Sequence, residues 1–177
     1  MMLVQHNPVF TLGTGSVLDN LKFPLEDPPF EVFRVERGGE VTYHGPGQIV
    51  MYPIIDLKRY RQDIHWYLRA LEEVTIMTLA RFGKKAERFK GLTGVWVDGR
   101  KVAAVGVKVK RWHTMHGVAI NVTTDLADFQ HIVPCGISDR AVGSVSDFCA
   151  DVTMEQVRDA LLNSFEHVFG VTCETTE

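Results

Sequence analysis

Thr93-Gly94-Val95-Trp96-Val97-Asp98-Gly99-Arg100-Lys101-Val102-Ala103-Ala104-Val105-Gly106-Val107-Lys108-Val109 reads as two strands, Thr93 to Val97 and Lys101 to Val109, meeting at Asp98-Gly99. β-Branched residues suit a pleated surface, and a glycine in second place supplies the positive φ of a tight hairpin turn. Upstream the period changes. Ile64, Leu68, Leu71, Val74 and Met77 recur at spacings of three and four, with Asp63 placed to cap the start and Gly83 beyond the end, so a helix is expected there. Downstream, Gly117 to Val122 is another strand, and Thr153 to Phe169 is a helix opened by the capping-box pair Thr153 and Gln156.

Toward the N-terminus, Leu3-Val4 and Val9 to Leu12 read as strand, ended by Gly13-Thr14-Gly15. Pro24 through Pro29 forms an irregular link, and Glu31 to Val35 a further short strand. Gln48 to Ile55 is nearly continuous in apolar residues, as a strand buried on both faces would be. Strands and helices alternate irregularly, with hairpins. The expected fold is therefore α/β of the α+β type, a mixed β-sheet covered by helices, with residues 1–177 forming a single domain on one core. The start, Met1-Met2-Leu3-Val4, reads as the inside of a strand, and a segment is expected to precede it.

At 177 residues the chain is long enough to bury a core without staples, and 45% hydrophobic with 23% charged residues is ordinary for a globular protein. A formal net charge of −3 without a recognition motif argues against a nucleic-acid partner. No window approaches the apolar length of a membrane span, and no membrane partner is expected. The three cysteines, Cys135, Cys149 and Cys173, have no CxxC spacing, which argues against a disulfide framework and a structural zinc, and for a reducing compartment. A cytoplasmic chain is expected. A plastid or mitochondrial protein whose targeting peptide had been removed would leave the same sequence.

Four features carry possible chemistry, and each has a plainer reading. The glycine pairs around Glu40 to His44 are ordinary turn punctuation unless a ligand approaches the backbone. In that case Arg37 is placed to bind an anion in a fork and His44 to donate a hydrogen bond. Cys135 is a small buried hydrophobe in most apolar runs, yet Pro134 and Gly136 break the chain on both sides and put the thiol in a turn. A thiol of pKa about 8.5 then needs a nearby cation to become thiolate. Lys101 is one candidate, although a lysine at a strand end commonly snorkels to solvent. His113-x-x-His116 lacks a third ligand at recognisable spacing, so no metal is expected. Lys108, Lys110 and Arg111 beside it form either a solvated edge or a landing site for an acidic partner.

Taken together, RGGEVTYHGPGQ (37–48), GLTGVWVDGRKVAAVGV (91–107), HGVAINV (116–122) and IVPCGI (132–137) resemble the lipoyl(octanoyl) transferases in order and spacing. The resemblance runs from about Leu3 to Gly143. It implies the biotin/lipoate protein ligase-like fold, with an octanoyl-loaded acyl carrier protein as donor. It also implies lipoyl domains of 2-oxoacid dehydrogenases and the glycine cleavage H protein as acceptors, and no ATP or metal cofactor. Residue by residue, it places the acyl-accepting cysteine on Cys135 and its companion lysine on Lys101. The substrate-binding stretches fall on Arg37, Gly38, Gly39, Glu40, Val41, Thr42, Tyr43 and His44, on Ala104, Val105 and Gly106, and on Gly117, Val118 and Ala119. Family members usually begin with a further strand and helix, and the segment after Gly143 matches only loosely.

Two other functions fit parts of this pattern. An ATP-dependent lipoate ligase on the same fold would have no use for the Pro-Cys-Gly turn. A non-catalytic binder of acylated or lipoyl domains would keep the glycine loop and be indifferent to loss of Cys135 or Lys101.

Overall fold

The computed structural model describes residues 1–133 and 141–174. Among the described residues nine strands precede or flank two α-helices: β1 (Met2–Val4), β2 (Val9–Leu12), β3 (Glu31–Arg34), β4 (Val41–His44), β5 (Gln48–Tyr52), α1 (Ile64–Ala80), β6 (Ala86–Glu87), β7 (Val95–Val97), β8 (Arg100–Lys110), β9 (His113–Asn121) and α2 (Met154–Phe169). The caps read from sequence form. Asp63 accepts from the Trp66 amide, and Thr153 and Gln156 make the reciprocal pair; Gly170, which the sequence reading does not name, closes α2 in the left-handed conformation.

Two sheets form rather than one. The larger has the order β1-β5-β9-β8-β7-β6 and is antiparallel throughout; the smaller has the order β3-β2-β4 and holds the parallel pair, β2 with β3. The mixed α+β class is as expected, but the single sheet on a single core is corrected. One apolar cluster lies between the larger sheet and the two helices, including Leu71, Val74, Val118, Ile120, Leu161 and Phe165. A second is built on Phe10, Leu12, Val41, Tyr43, Phe129 and Ile132. Both clusters draw on alternating apolar residues, a pattern that says which residues are inside but not which core they join.

β5 stops short of the expected Ile55, since Pro53 has no amide to continue the ladder. β9 begins at His113 and not Gly117, because Arg111 and Trp112 turn the chain with φ of 52° and 69°. Positive φ at both central positions is the geometry of the favoured two-residue hairpin, but neither residue is glycine or asparagine, so the turn was hidden from the sequence. Tertiary contacts hold it: the Trp112 carbonyl accepts from the Leu57 amide at 2.8 Å, and its side chain packs on the helix-side core.

Candidate functional site

A cavity of about 590 Å³ lies between the two sheets, within the ordinary range for a small-molecule site. Strand alternation decides what faces it. Along β2 and β4, Phe10, Leu12, Val41 and Tyr43 enter the second core, whereas Val9, Thr11, Thr42 and His44 line the cavity. Val41 and Tyr43, expected at the substrate, are therefore turned away from it.

The floor follows from register. Ala104 pairs with Ala119 and Gly106 with Gly117, and paired residues share a face, so four small residues are set side by side under the cavity. The alternate pairs, Val105 with Val118 and Ala103 with Ile120, pack toward the helices. Val105 and Val118 border the cavity only as part of the same strands. A side chain at Gly106 would crowd the loop above it: a Cβ there would stand 3.0 Å from the Gly38 carbonyl oxygen and 3.1 Å from Arg37 Cδ. The Arg37-Gly38 loop rests directly on the floor, and the Gly38 amide donates to Val107 O at 2.9 Å.

Arg37 does not present a fork to a ligand, which corrects the expectation from sequence. Its Nη1 donates to the carbonyls of Glu40 at 2.8 Å and Gly38 at 3.2 Å, and its Nη2 to Thr11 O at 2.7 Å and Thr11 Oγ1 at 2.8 Å. These bonds shape the loop around Gly38 and Gly39. Glu40 works outward from it: Oε2 accepts from Asn20 Nδ2 at 3.0 Å and from the Val17 amide at 3.2 Å. The Asn20 carbonyl in turn accepts from the Val133 amide at 2.8 Å.

Lys101 is buried at the cavity wall, 8% exposed, with Nζ 5.3 Å from the centre of the Trp96 ring, within cation–π range. It does not snorkel. Its amide donates to Ala141 O at 2.9 Å and its carbonyl accepts from the Gly143 amide at 3.0 Å. Chain on both sides of residues 134–140 is thus fastened to the site, at Asn20 before and at Lys101 after. Cys135 lies outside the described residues. Gly94, at φ 140°, makes room for Lys101: a Cβ at Gly94 would come within 2.6 Å of Lys101 Cε.

His44 is buried, and burial is the main reason its pKa falls to about 4, with the Arg37 charge adding to the effect against the Gln48 hydrogen bond. His116 is also drawn down, by burial and then by Arg37. Tyr52 is raised by burial, and its hydroxyl lies 2.7 Å from His6 Nε2.

Sequence reasoning missed His6, Thr11, Tyr52 and His116, all on the cavity wall. His6 and Tyr52 carry no motif. His116 was read only as half of a metal pair. A regular strand would turn His116 and Gly117 to opposite faces, yet both line the cavity, and His116 has φ 61°. His113 borders a different groove, beside α2, and among the described residues no group of three metal-ligating side chains converges.

The family model for the lipoyl protein ligase A/B catalytic domain matches residues 1–166. Among similar proteins, the octanoyltransferase of Synechococcus elongatus is 56% identical over 96% of this chain and 72% of its own length. That of Gloeobacter violaceus is 57% identical over 98% of this chain and 77% of its own. Solved structures agree on the fold. A bi-partite lipoate protein ligase from Thermoplasma acidophilum superposes with a TM-score of 0.77 at 20% identity, covering 99% of this chain and 73% of that one. A lipoate-protein ligase A bound with ATP gives 0.77 at 19% identity, covering 98% and 74%. The chain belongs to the lipoyl protein ligase A/B catalytic domain family and, within it, to the octanoyltransferases.

Proposed function

We propose that this chain transfers an octanoyl group from an acyl-carrier-protein thioester to the ε-amine of a lysine on a lipoyl domain, through a thioester on Cys135. The observation that carries the reading is the attachment of Lys101, buried at a cavity floored by small residues, to Ala141 and Gly143, a few residues after Cys135 in the sequence. The names of the relatives supply the acyl group.

In the first step the Cys135 thiolate attacks the donor carbonyl, the carbon–sulfur bond to the carrier breaks, and the departing carrier thiolate takes the proton of the Lys101 ammonium, leaving Lys101 as the amine. One thioester replaces another, so neither ATP nor a metal is needed. In the second step the lysine amine attacks, the bond to Cys135 breaks, and the proton released from the nitrogen passes to the amine of Lys101. Amide formation drives the exchange. Burial of the aliphatic tail over Ala104, Gly106, Gly117 and Ala119 contributes roughly 5 kcal/mol at about 0.8 kcal/mol per methylene. Lipoyl domains of 2-oxoacid dehydrogenases and the glycine cleavage H protein are the acceptors in this reading, and the setting is the cytoplasm, where thiols stay reduced.

Intact-mass analysis after incubation with octanoyl carrier protein, with and without ATP, tests the reading. A hydroxylamine-labile octanoyl adduct on the wild type, independent of ATP and absent from Cys135→Ala, is expected. An adduct that forms only with ATP and free octanoate would replace this reading with a ligase.

A further inference from the structure

Two backbone carbonyls decide that Nδ1 of a cavity histidine carries a proton. Carbonyl oxygens only accept, so the Asn121 group 3.1 Å from Gly143 O must be its Nδ2, which leaves Oδ1 facing Gln48 Nε2 at 2.9 Å. Gln48 Nε2 also donates to Tyr43 O at 3.2 Å, so both contacts fix the same orientation of that amide. Gln48 Oε1 therefore faces His44 Nδ1 at 2.7 Å and requires the imidazole proton to be there. At the other end of the ring, Thr11 Oγ1 stands 3.4 Å from Nε2 and already accepts from Arg37, so its hydrogen is available to the ring. Gln48, Asn121 and His44 are all buried.

We infer that Gln48 is a positioning residue that holds the His44 proton on Nδ1 and turns the other ring nitrogen toward Thr11, so that a buried ring kept uncharged by its surroundings forms the wall beside an aliphatic acyl tail. This rests on the octanoyl-transfer reading. Every charged or titratable group facing His44 favours the neutral ring: Arg37 from the loop before β4, His6 with its ring centre 5.6 Å away, and His116 from β9. An imidazolium covered by methylenes would lose its hydration with no counter-charge beside it. The penalty should grow with the length of tail laid against it, which makes Gln48 a determinant of acyl selectivity through His44.

The experiment combines nitrogen-15 resonances of histidine-labelled protein with kinetics on octanoyl and butanoyl thioesters at pH 7. In the wild type, His44 is expected as neutral Nδ1–H. Gln48→Glu places a carboxylate on Nδ1 and should charge the ring, raising the KM for the octanoyl donor by about tenfold or more while changing the butanoyl KM far less. Gln48→Met, close in shape but without the acceptor, should lose the preference for Nδ1–H and serves if the glutamate variant does not fold. A wild-type His44 that is charged, or protonated on Nε2, would overturn the inference. So would equal changes in KM for the two donors in Gln48→Glu. The resonance arm reads the lock without turnover, whereas failure of the transfer reading would appear as no octanoyl product from the wild type.

Discussion

Glu72 Oε1, on a side chain wholly buried in α1, accepts a hydrogen bond from the amide of Gly94 at 3.0 Å. Its other oxygen takes Arg69 Nη1 at 2.6 Å and Arg88 Nε at 3.0 Å, so the carboxylate is satisfied on all sides. The helix thereby fixes Gly94, whose missing side chain leaves room for Lys101.

Two substitutions separate this support from general stability. Glu72→Gln keeps an acceptor for Gly94 and should retain most turnover. Glu72→Ala loses it and should cost about 1 to 3 kcal/mol, below the full penalty for breaking a buried pair because both arginines reach solvent. Gly94→Ala should lower kcat further, since the new Cβ meets both Lys101 Cε and the Ala103 carbonyl. Urea unfolding beside steady-state kinetics checks this. Full turnover in Gly94→Ala would show that Lys101 tolerates displacement.

Lys101→Arg should lose about 10²- to 10⁴-fold in turnover, because arginine keeps the charge but does not release its proton near neutrality. Lys101→Met should lose at least as much. Single-turnover rates of octanoyl transfer from Cys135 to a lipoyl domain are the measurement, and near wild-type rates in the arginine variant would reduce Lys101 to an electrostatic role.

Cys135→Ala should accept no acyl group, and neither Cys149 nor Cys173 should substitute. Both are free thiols, and the Cys173 thiol is pushed up by burial and then by the Glu166 carboxylate, which keeps it protonated at neutral pH. Peptide mapping of the acylated protein decides; an octanoyl group on Cys149 or Cys173 would contradict the assignment.

Of the basic cluster, Lys108 is already paired, its Nζ 2.5 Å from Glu36 Oε2, while Lys110 and Arg111 stand exposed at the hairpin turn. Reversing the charge of Lys110 and Arg111 should raise the KM for octanoyl carrier protein in a salt-dependent way and leave a small octanoyl thioester unaffected. Equal losses with both donors would exclude a docking role.

His44 also predicts a pH dependence of stability. Its pKa is about 4 in the folded protein against 6.5 for the free group, so between these values the unfolded chain binds more protons. Its contribution, on the order of 3 kcal/mol, is present in full above pH 6.5 and is lost as the pH falls toward 4. The urea midpoint should drop over that window in the wild type, and the slope should be shallower in His44→Gln.

Most strands, both helices and the caps at Asp63 and Thr153 were legible because they depend on neighbours a few residues apart: Asp98-Gly99 turns the chain, and Thr153 reaches Gln156 within one helical turn. The resemblance also marked Lys101 and the small residues of β8 and β9. Tertiary structure alone decided that the strands divide into two sheets and that a cavity opens between them. It also decided that Arg37 spends its terminal nitrogens on carbonyls of its own loop and of β2. The Arg111-Trp112 turn was illegible because its positive φ values are held by packing and by Leu57, not by residue type. His44, Gln48, Asn121 and Gly143 span a hundred positions, so their shared network exists only where β4, β5, β9 and the segment after residue 140 are folded together, and spacing along a chain carries no record of such contacts.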